Sequence, residues 1–88
     1  MRPKIKRNVS FVTNSSHFIP LNQNPLHEQI TLAIEELEAL RLKDCLGLEQ
    51  KQAAKQMKIS QPTFHRLLLG ARKKVSDAIV NAKQLKIV

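Results

Sequence analysis

Apolar residues recur with helical spacing along three consecutive stretches of the chain. The first stretch covers residues 34–46 and stops before Gly47, a residue that commonly ends helices. A short second stretch covers residues 50–57, and a longer third one covers residues 61–83. The pattern therefore predicts three helices, connected by short turns.

The third predicted helix has the clearest signals. Ser60 is a favourable N-cap, and Pro62 falls in the first turn, where its missing N–H costs little. Its apolar positions repeat three or four residues apart, which predicts one buried face. These positions are Phe64, Leu67, Leu68, Ala71, Val75, Ala78, Ile79 and Ala82.

The two ends of this helical region can extend as short strands. Ile30 to Leu32 and Leu85 to Val88 are rich in β-branched and aliphatic residues. Their pairing, within one chain or across a dimer, is left open by the pattern. We expect an all-α fold of three helices at residues 30–88, with short terminal strands and a basic, largely irregular N-terminal arm at residues 1–29.

Charge is segregated along the chain, which carries a net +8. Residues 1–27 hold four basic residues and no acid, residues 28–50 are net −4, and residues 51–88 hold nine basic residues against one acid. A positive field attracts polyanions and speeds their capture, although positive charge also serves solubility. The segregation favours a binding face for nucleic acid.

Composition narrows the protein class. Cys45 is the single cysteine, so no intrachain disulfide can form, and we expect it to be a small core residue in a reducing compartment. No apolar run has the length of a membrane span, which predicts a cytoplasmic protein. Three Phe without Tyr or Trp provide few aromatic platforms for single-stranded bases.

Residues 50–68 have the pattern of a helix-turn-helix. Ala53 and Ala54 are small enough for two helices to cross closely, while Met57 and Ile59 flank the turn with apolar side chains. Phe64 is placed to anchor the following helix. Such a motif needs a helix that protrudes, because the major groove of B-DNA, about 12 Å wide, admits one helix.

Candidate DNA contacts follow from this arrangement. Gln, Thr, His and Arg at the start of the third helix can contact base edges, while basic residues and the N-cap suit phosphates. The base-contact candidates are Gln61, Thr63, His65 and Arg66. The phosphate-contact candidates are Ser60, Lys51, Lys55, Lys58, Arg72, Lys73 and Lys74. The candidates for an arm in the minor groove are Arg2, Lys4, Lys6 and Arg7.

Nothing in the sequence indicates an enzyme. His17, His27 and His65 lie at unrelated spacings, and no paired carboxylates or glycine-rich phosphate loop accompany them. We expect no cofactor, no bound metal and no small-molecule substrate.

Several blocks of residues resemble a prokaryotic family of small proteins catalogued as domain of unknown function 134. The blocks are Arg2-Pro-Lys4, residues 35–42 (EELEALRL), Gly47-Leu48, Ala53-Ala54, residues 60–64 (SQPTF) and residues 71–75 (ARKKV). The resemblance implies a helix-turn-helix similar to region four of bacterial sigma factors, and a DNA-binding role without a settled target.

The chain departs from that family at four positions. Ala33 and Glu49 stand where good N-caps are usual, and Lys58 stands where glycine would accept a left-handed backbone more easily. Leu69 replaces a usually acidic residue and points away from the core, as a dimer contact or as a single exposed leucine. We therefore expect a less stable member with the same fold.

The combined interpretation is a sequence-specific regulator of transcription that inserts the N-terminal part of helix 61–83 into the major groove of double-stranded DNA. Its small size and strand-like ends also suggest a homodimer. Two alternatives use the same basic face: a module that docks on RNA polymerase or another regulator, and a protein that binds structured RNA.

Overall fold

The computed structural model describes residues 17–21 and 28–88. The helices are α1 at Ile34–Leu40, which continues as a π-helical turn at Arg41–Cys45, α2 at Gln50–Met57 and α3 at Gln61–Val80. The strands are β1 at His17–Phe18, β2 at Gln29–Leu32 and β3 at Gln84–Ile87.

A three-stranded mixed sheet makes this an α+β domain, so the all-α prediction is wrong. The strand order is β1-β3-β2, with β3 antiparallel to β1 and parallel to β2. Parallel strands need a long crossover, and here the three helices provide it. The two predicted terminal strands thus pair within one chain, and β1 adds part of the segment that was expected to be irregular.

The sheet forms because it buries one face against the helices. Leu32, Leu85 and Ile87 alternate with exposed residues, and each is less than a tenth exposed. Two further hydrogen bonds link the ends of the sheet, from Val88 N–H to the Leu32 carbonyl at 3.0 Å and from Gln84 N–H to the Glu28 carbonyl at 2.8 Å. The division of the chain at residue 29 stays a prediction.

The first helix runs nearly as predicted but changes its geometry after Leu40. Leu46 N–H donates to the Arg41 carbonyl at 2.9 Å, a hydrogen bond of the wider π type. The wider turn rotates the following side chains, so Leu42 is buried and Cys45 is exposed. The expectation that Cys45 lies in the core is therefore wrong.

The third helix begins as predicted and ends three residues early, at Val80. Ala82 has a positive φ of 52° and lies outside the helix, and Ile79 is 75% exposed. The predicted buried face therefore stops at Ala78. None of the helices in the described part of the chain has the length and hydrophobicity of a membrane span.

Two hydrophobic clusters form the core, and α3 contributes to both. Its first half places Phe64 and Leu68 in a cluster with α1, the π-helical turn and α2. Its second half places Ala71 and Ala78 in a cluster with the sheet. As predicted, the small residues of α2 lie in the first cluster, fully buried. The two clusters lie side by side along α3, so both halves of this helix are packed into the core.

Two buried acids connect α1 to its surroundings. Glu38 is 1% exposed, and Arg41 donates to both of its carboxylate oxygens, at 2.8 and 3.1 Å. Glu36 accepts hydrogen bonds through Oε1 from Ala33 N–H at 3.0 Å and from Lys74 Nζ at 2.8 Å. The second bond links the start of α1 to α3. Pairing of this kind offsets the cost of burying a carboxylate.

The four positions that depart from the family lie in the structure where the sequence placed them, and the lower stability expected from them stays a prediction. Ala33 and Glu49 occupy the N-caps of α1 and α2, and neither side chain makes a capping hydrogen bond. Lys58 ends α2 with φ of 60° and ψ of 43°, a left-handed conformation. Leu69 is exposed, as expected.

Replacing Lys58 by glycine should stabilise the protein. Glycine removes the steric cost of the left-handed backbone, so we expect about 0.5–1 kcal/mol of added stability, or a rise of several degrees in melting temperature. Lys55→Gly is the matched control, because Lys55 is also exposed but lies inside α2. It should destabilise by about 1 kcal/mol. Equal effects of the two changes in thermal denaturation would contradict this account.

Replacing Gly70 by alanine should reveal how closely α1 approaches α3. A Cβ atom at this position would lie 3.0 Å from Glu36 Oε2, within a carboxylate that two hydrogen bonds hold in place. We expect no gain, or a loss, in the free energy of unfolding. In a Glu36→Ala background the same change should stabilise by up to about 1 kcal/mol, through helix propensity. An equal change in the free energy of unfolding in both backgrounds would show that the contact between residue 70 and Glu36 does not restrict the packing of α1 against α3.

Candidate nucleic-acid interface

The start of α3 is organised by the side chain of Ser60. Its Oγ accepts the Thr63 N–H at 3.2 Å, which confirms the predicted N-cap. The same hydroxyl donates to Thr63 Oγ1 at 2.9 Å. Pro62 lies in the first turn, as predicted. The cap satisfies one of the free N–H groups of the helix and fixes the direction in which α3 begins.

All four base-contact candidates lie in the first two turns of α3. Gln61, His65 and Arg66 are exposed and Thr63 is half-buried, while the intervening Phe64 is completely buried. Arg66 Nη2 donates to Thr63 Oγ1 at 3.4 Å. The structure therefore places Thr63 beside Arg66, and Gln61 and His65 around one depression, on a helix whose backbone is held by the core.

One contact at this surface was missed by sequence reasoning. Gln50, the first residue of α2, lies with its Nε2 atom 3.2 Å from Nδ1 of His65. An open depression of about 540 Å³ is lined by Gln50, Gln61, Pro62 and His65. Two polar residues fifteen positions apart give no periodic signal, so only the packing of α2 against α3 reveals the pair.

The predicted phosphate-contact residues fall into two groups. Lys51 and Lys55 on α2, Lys58 in the turn and Lys73 on α3 are exposed. No acidic residue in residues 17–21 and 28–88 forms an ion pair with any of these four. Ser60 also belongs to the first group, because it lies at the start of α3. This group flanks the first turns of α3 and includes one residue from its middle.

Arg72 and Lys74 form the second group, which has acidic partners within the molecule. Arg72 donates from Nη2 and Nε to the two carboxylate oxygens of Asp44, at 2.6 and 3.0 Å. This hydrogen bonding lowers the pKa of Asp44 and raises the pKa of Arg72. Lys74 is paired with Glu36, as described above. The acids of α1 and its π-helical turn therefore neutralise part of the positive charge in the second half of α3.

Two further sets of residues were named from the sequence. Arg2, Lys4, Lys6 and Arg7 lie outside the described residues. His17 lies in β1, at the edge of the sheet. In the described part of the chain, no group of three or more histidine, cysteine or acidic side chains is arranged to hold a metal ion.

The second half of α3 borders an apolar groove and not a polar surface. An apolar groove of about 510 Å³ lies between the second half of α3 and the sheet, with Phe18, Ile19 and Ile79 at its exposed rim. Ile79 lies fourteen positions after His65 along the helix, which corresponds to roughly 21 Å. The polar surface and the apolar groove are therefore separate features of one helix.

Comparison with known proteins gives a consistent family match. The model of the family described as "Protein of unknown function DUF134" matches residues 1–88. A UPF0251 protein of Moorella thermoacetica is 49% identical over 88 residues, and one of Dehalococcoides mccartyi is 50% identical over 90 residues. A third, from Thermoanaerobacter pseudethanolicus, is 45% identical over 87 residues.

Each of these alignments covers 98% of this chain, which spans 58% of the Moorella protein and 74% of the other two. No solved structure matches the chain. Two findings agree with the resemblance seen in the residues. The family model matches the chain from residue 1 to residue 88, and the chain covers 74% of two relatives to which it is 45% and 50% identical. The chain belongs to the DUF134 family, whose relatives carry the name UPF0251 proteins.

Proposed function

We propose that the protein binds double-stranded DNA and regulates transcription in the cytoplasm. In this proposal α2 and α3 act as a helix-turn-helix, and residues 61–66 of α3 enter the major groove. The observation that carries the proposal is the surface at the start of α3. Four side chains that can contact base edges lie within its first two turns, on a helix held by two hydrophobic clusters.

Shape supports this role for α3. A helix with its side chains is about 10–12 Å across, close to the width of the major groove. Only one side of the first two turns is needed for the core, through Phe64 and Leu68. The other side is free to face the bases without loss of buried area.

Charge supports the same orientation. Lys51, Lys55 and Lys58 flank the start of α3, and none of them is neutralised by an acid within the described residues. Phosphates on either side of a groove are the usual partners of such lysines. Arg72 and Lys74 would reach phosphates only by exchanging Asp44 or Glu36 for them, so we give them a smaller part in binding than the sequence suggested.

The proposal is tested by selection from a pool of randomised duplexes, at about physiological salt. A recurrent motif supports sequence-specific binding, and two half-sites about one helical turn apart would report the homodimer. Retention without a motif would leave an electrostatic DNA binder. Failure to retain DNA would favour the alternatives, docking on RNA polymerase or binding to structured RNA.

Arg66→Ala then tests the orientation of α3 on the selected duplex. We expect a loss of about 1–3 kcal/mol in preference at one base pair, with little change in binding to unrelated duplexes. Lys86→Ala removes the same charge from an exposed position on β3 and should leave the preference unchanged. Labelled DNA provides the signal, because the chain lacks Trp and Tyr. An equal loss on every sequence would instead assign Arg66 to a phosphate.

A further inference from the structure

The tautomer of His65 is set by its contact with Gln50. The Gln50 amide nitrogen can only donate, so His65 Nδ1, 3.2 Å away, must accept. A neutral imidazole with an accepting Nδ1 carries its proton on Nε2. The ring is exposed, so Nε2–H is a donor available to a ligand.

The hydroxyl of Thr63 is oriented by a similar argument. Thr63 Oγ1 accepts one hydrogen bond from Ser60 Oγ at 2.9 Å and a second from Arg66 Nη2 at 3.4 Å. A hydroxyl oxygen has two lone pairs, and both are then used. The only group of the Thr63 hydroxyl that is left for a ligand is its O–H, which can only donate. The Arg66 guanidinium has donors and no acceptor.

Thr63 and Arg66, which are in contact with each other, and His65, the residue before Arg66 on the helix, thus offer donors alone. In the major groove, guanine is the base that presents two acceptors, N7 and O6, and no donor. Adenine presents one acceptor, N7, beside an amino group that would face a second donor; cytosine presents only an amino group, and thymine offers one acceptor beside a methyl group. The match between donor set and base edge is therefore best for guanine.

We propose that this surface selects guanine at the positions that face His65 and Arg66, with Gln50 as the residue that positions His65. The inference rests on the proposed function and deepens it by naming the bases. Gln61, which has both a donor and an acceptor, lies outside this donor set and can serve a different base.

The test replaces each guanine of the selected duplex in turn by 7-deazaguanine, which loses the N7 acceptor and keeps its base pairing. Affinity is measured with labelled duplexes at constant salt. We expect a loss of roughly tenfold at the guanine that faces Arg66, because a bidentate guanidinium contact to N7 and O6 then loses one of its two bonds. Tolerance of the replacement at every guanine would overturn the inference.

Variants of the protein assign the positions. His65→Ala should abolish the preference for guanine over adenine at one of them. Gln50→Ala should reduce the same preference severalfold and leave affinity for unrelated duplexes unchanged. Gln56→Ala, also an exposed glutamine of α2, is the matched control and should change neither. A merely structural role for Gln50 would lower binding to all duplexes equally, and that result would overturn its positioning role.

The outcomes separate this inference from the function on which it rests. A selected motif with cytosine opposite His65 would mean that its Nε2 accepts, which contradicts the donor assignment, and adenine there would overturn the choice of guanine, because Nε2–H can also donate to adenine N7. DNA binding without any dependence on guanine would overturn the inference and leave the proposed function standing. Failure to bind any duplex would overturn both.

Discussion

The burial of α3 is the constraint on which the rest of the structure depends. This 20-residue helix, about 30 Å long, lies in both hydrophobic clusters, with Phe64 and Leu68 in one and Ala71 and Ala78 in the other. The close approach of α1 uses the missing side chain of Gly70. Because α2 packs on the first half of α3, the sheet packs on its second half and α1 packs on both, neither half can shift without loss of core contacts.

The surface at the start of α3 follows from that constraint. The core holds the backbone, Ser60 caps it, and the side chains between the buried positions are left exposed. In the part of the chain that the structure describes, acidic side chains neutralise positive charge on the second half of the helix and not at its start. Asp44 and Glu36 are paired with Arg72 and Lys74, whereas the lysines of α2 carry no such partner among the described residues. Net charge at the two ends of α3 therefore differs more than the sequence alone suggests.

The sequence predicted those elements whose formation depends on residues close together in the chain. The bounds of α2, the cap at Ser60 and the start of α3 follow from capping and periodicity, whereas the left-handed Lys58 was expected from the family resemblance. The sheet was underestimated because β2 and β3 are four-residue strands separated by three helices, and their pairing is decided by burial against α3. The exposure of Cys45 depends on the π-helical turn, and the contact of Gln50 with His65 depends on helix packing; neither leaves a periodic pattern.

The most direct measurement is an NMR titration of the isotope-labelled protein with duplex DNA, followed through its backbone amides. The account predicts that the largest shifts fall on Ser60 to Arg66 and on the first turn of α2. Ile79 and Val80, beside the apolar groove, should change little. The largest shifts at the groove or along α1, or no shift at any amide, would contradict the claim that α3 enters the major groove.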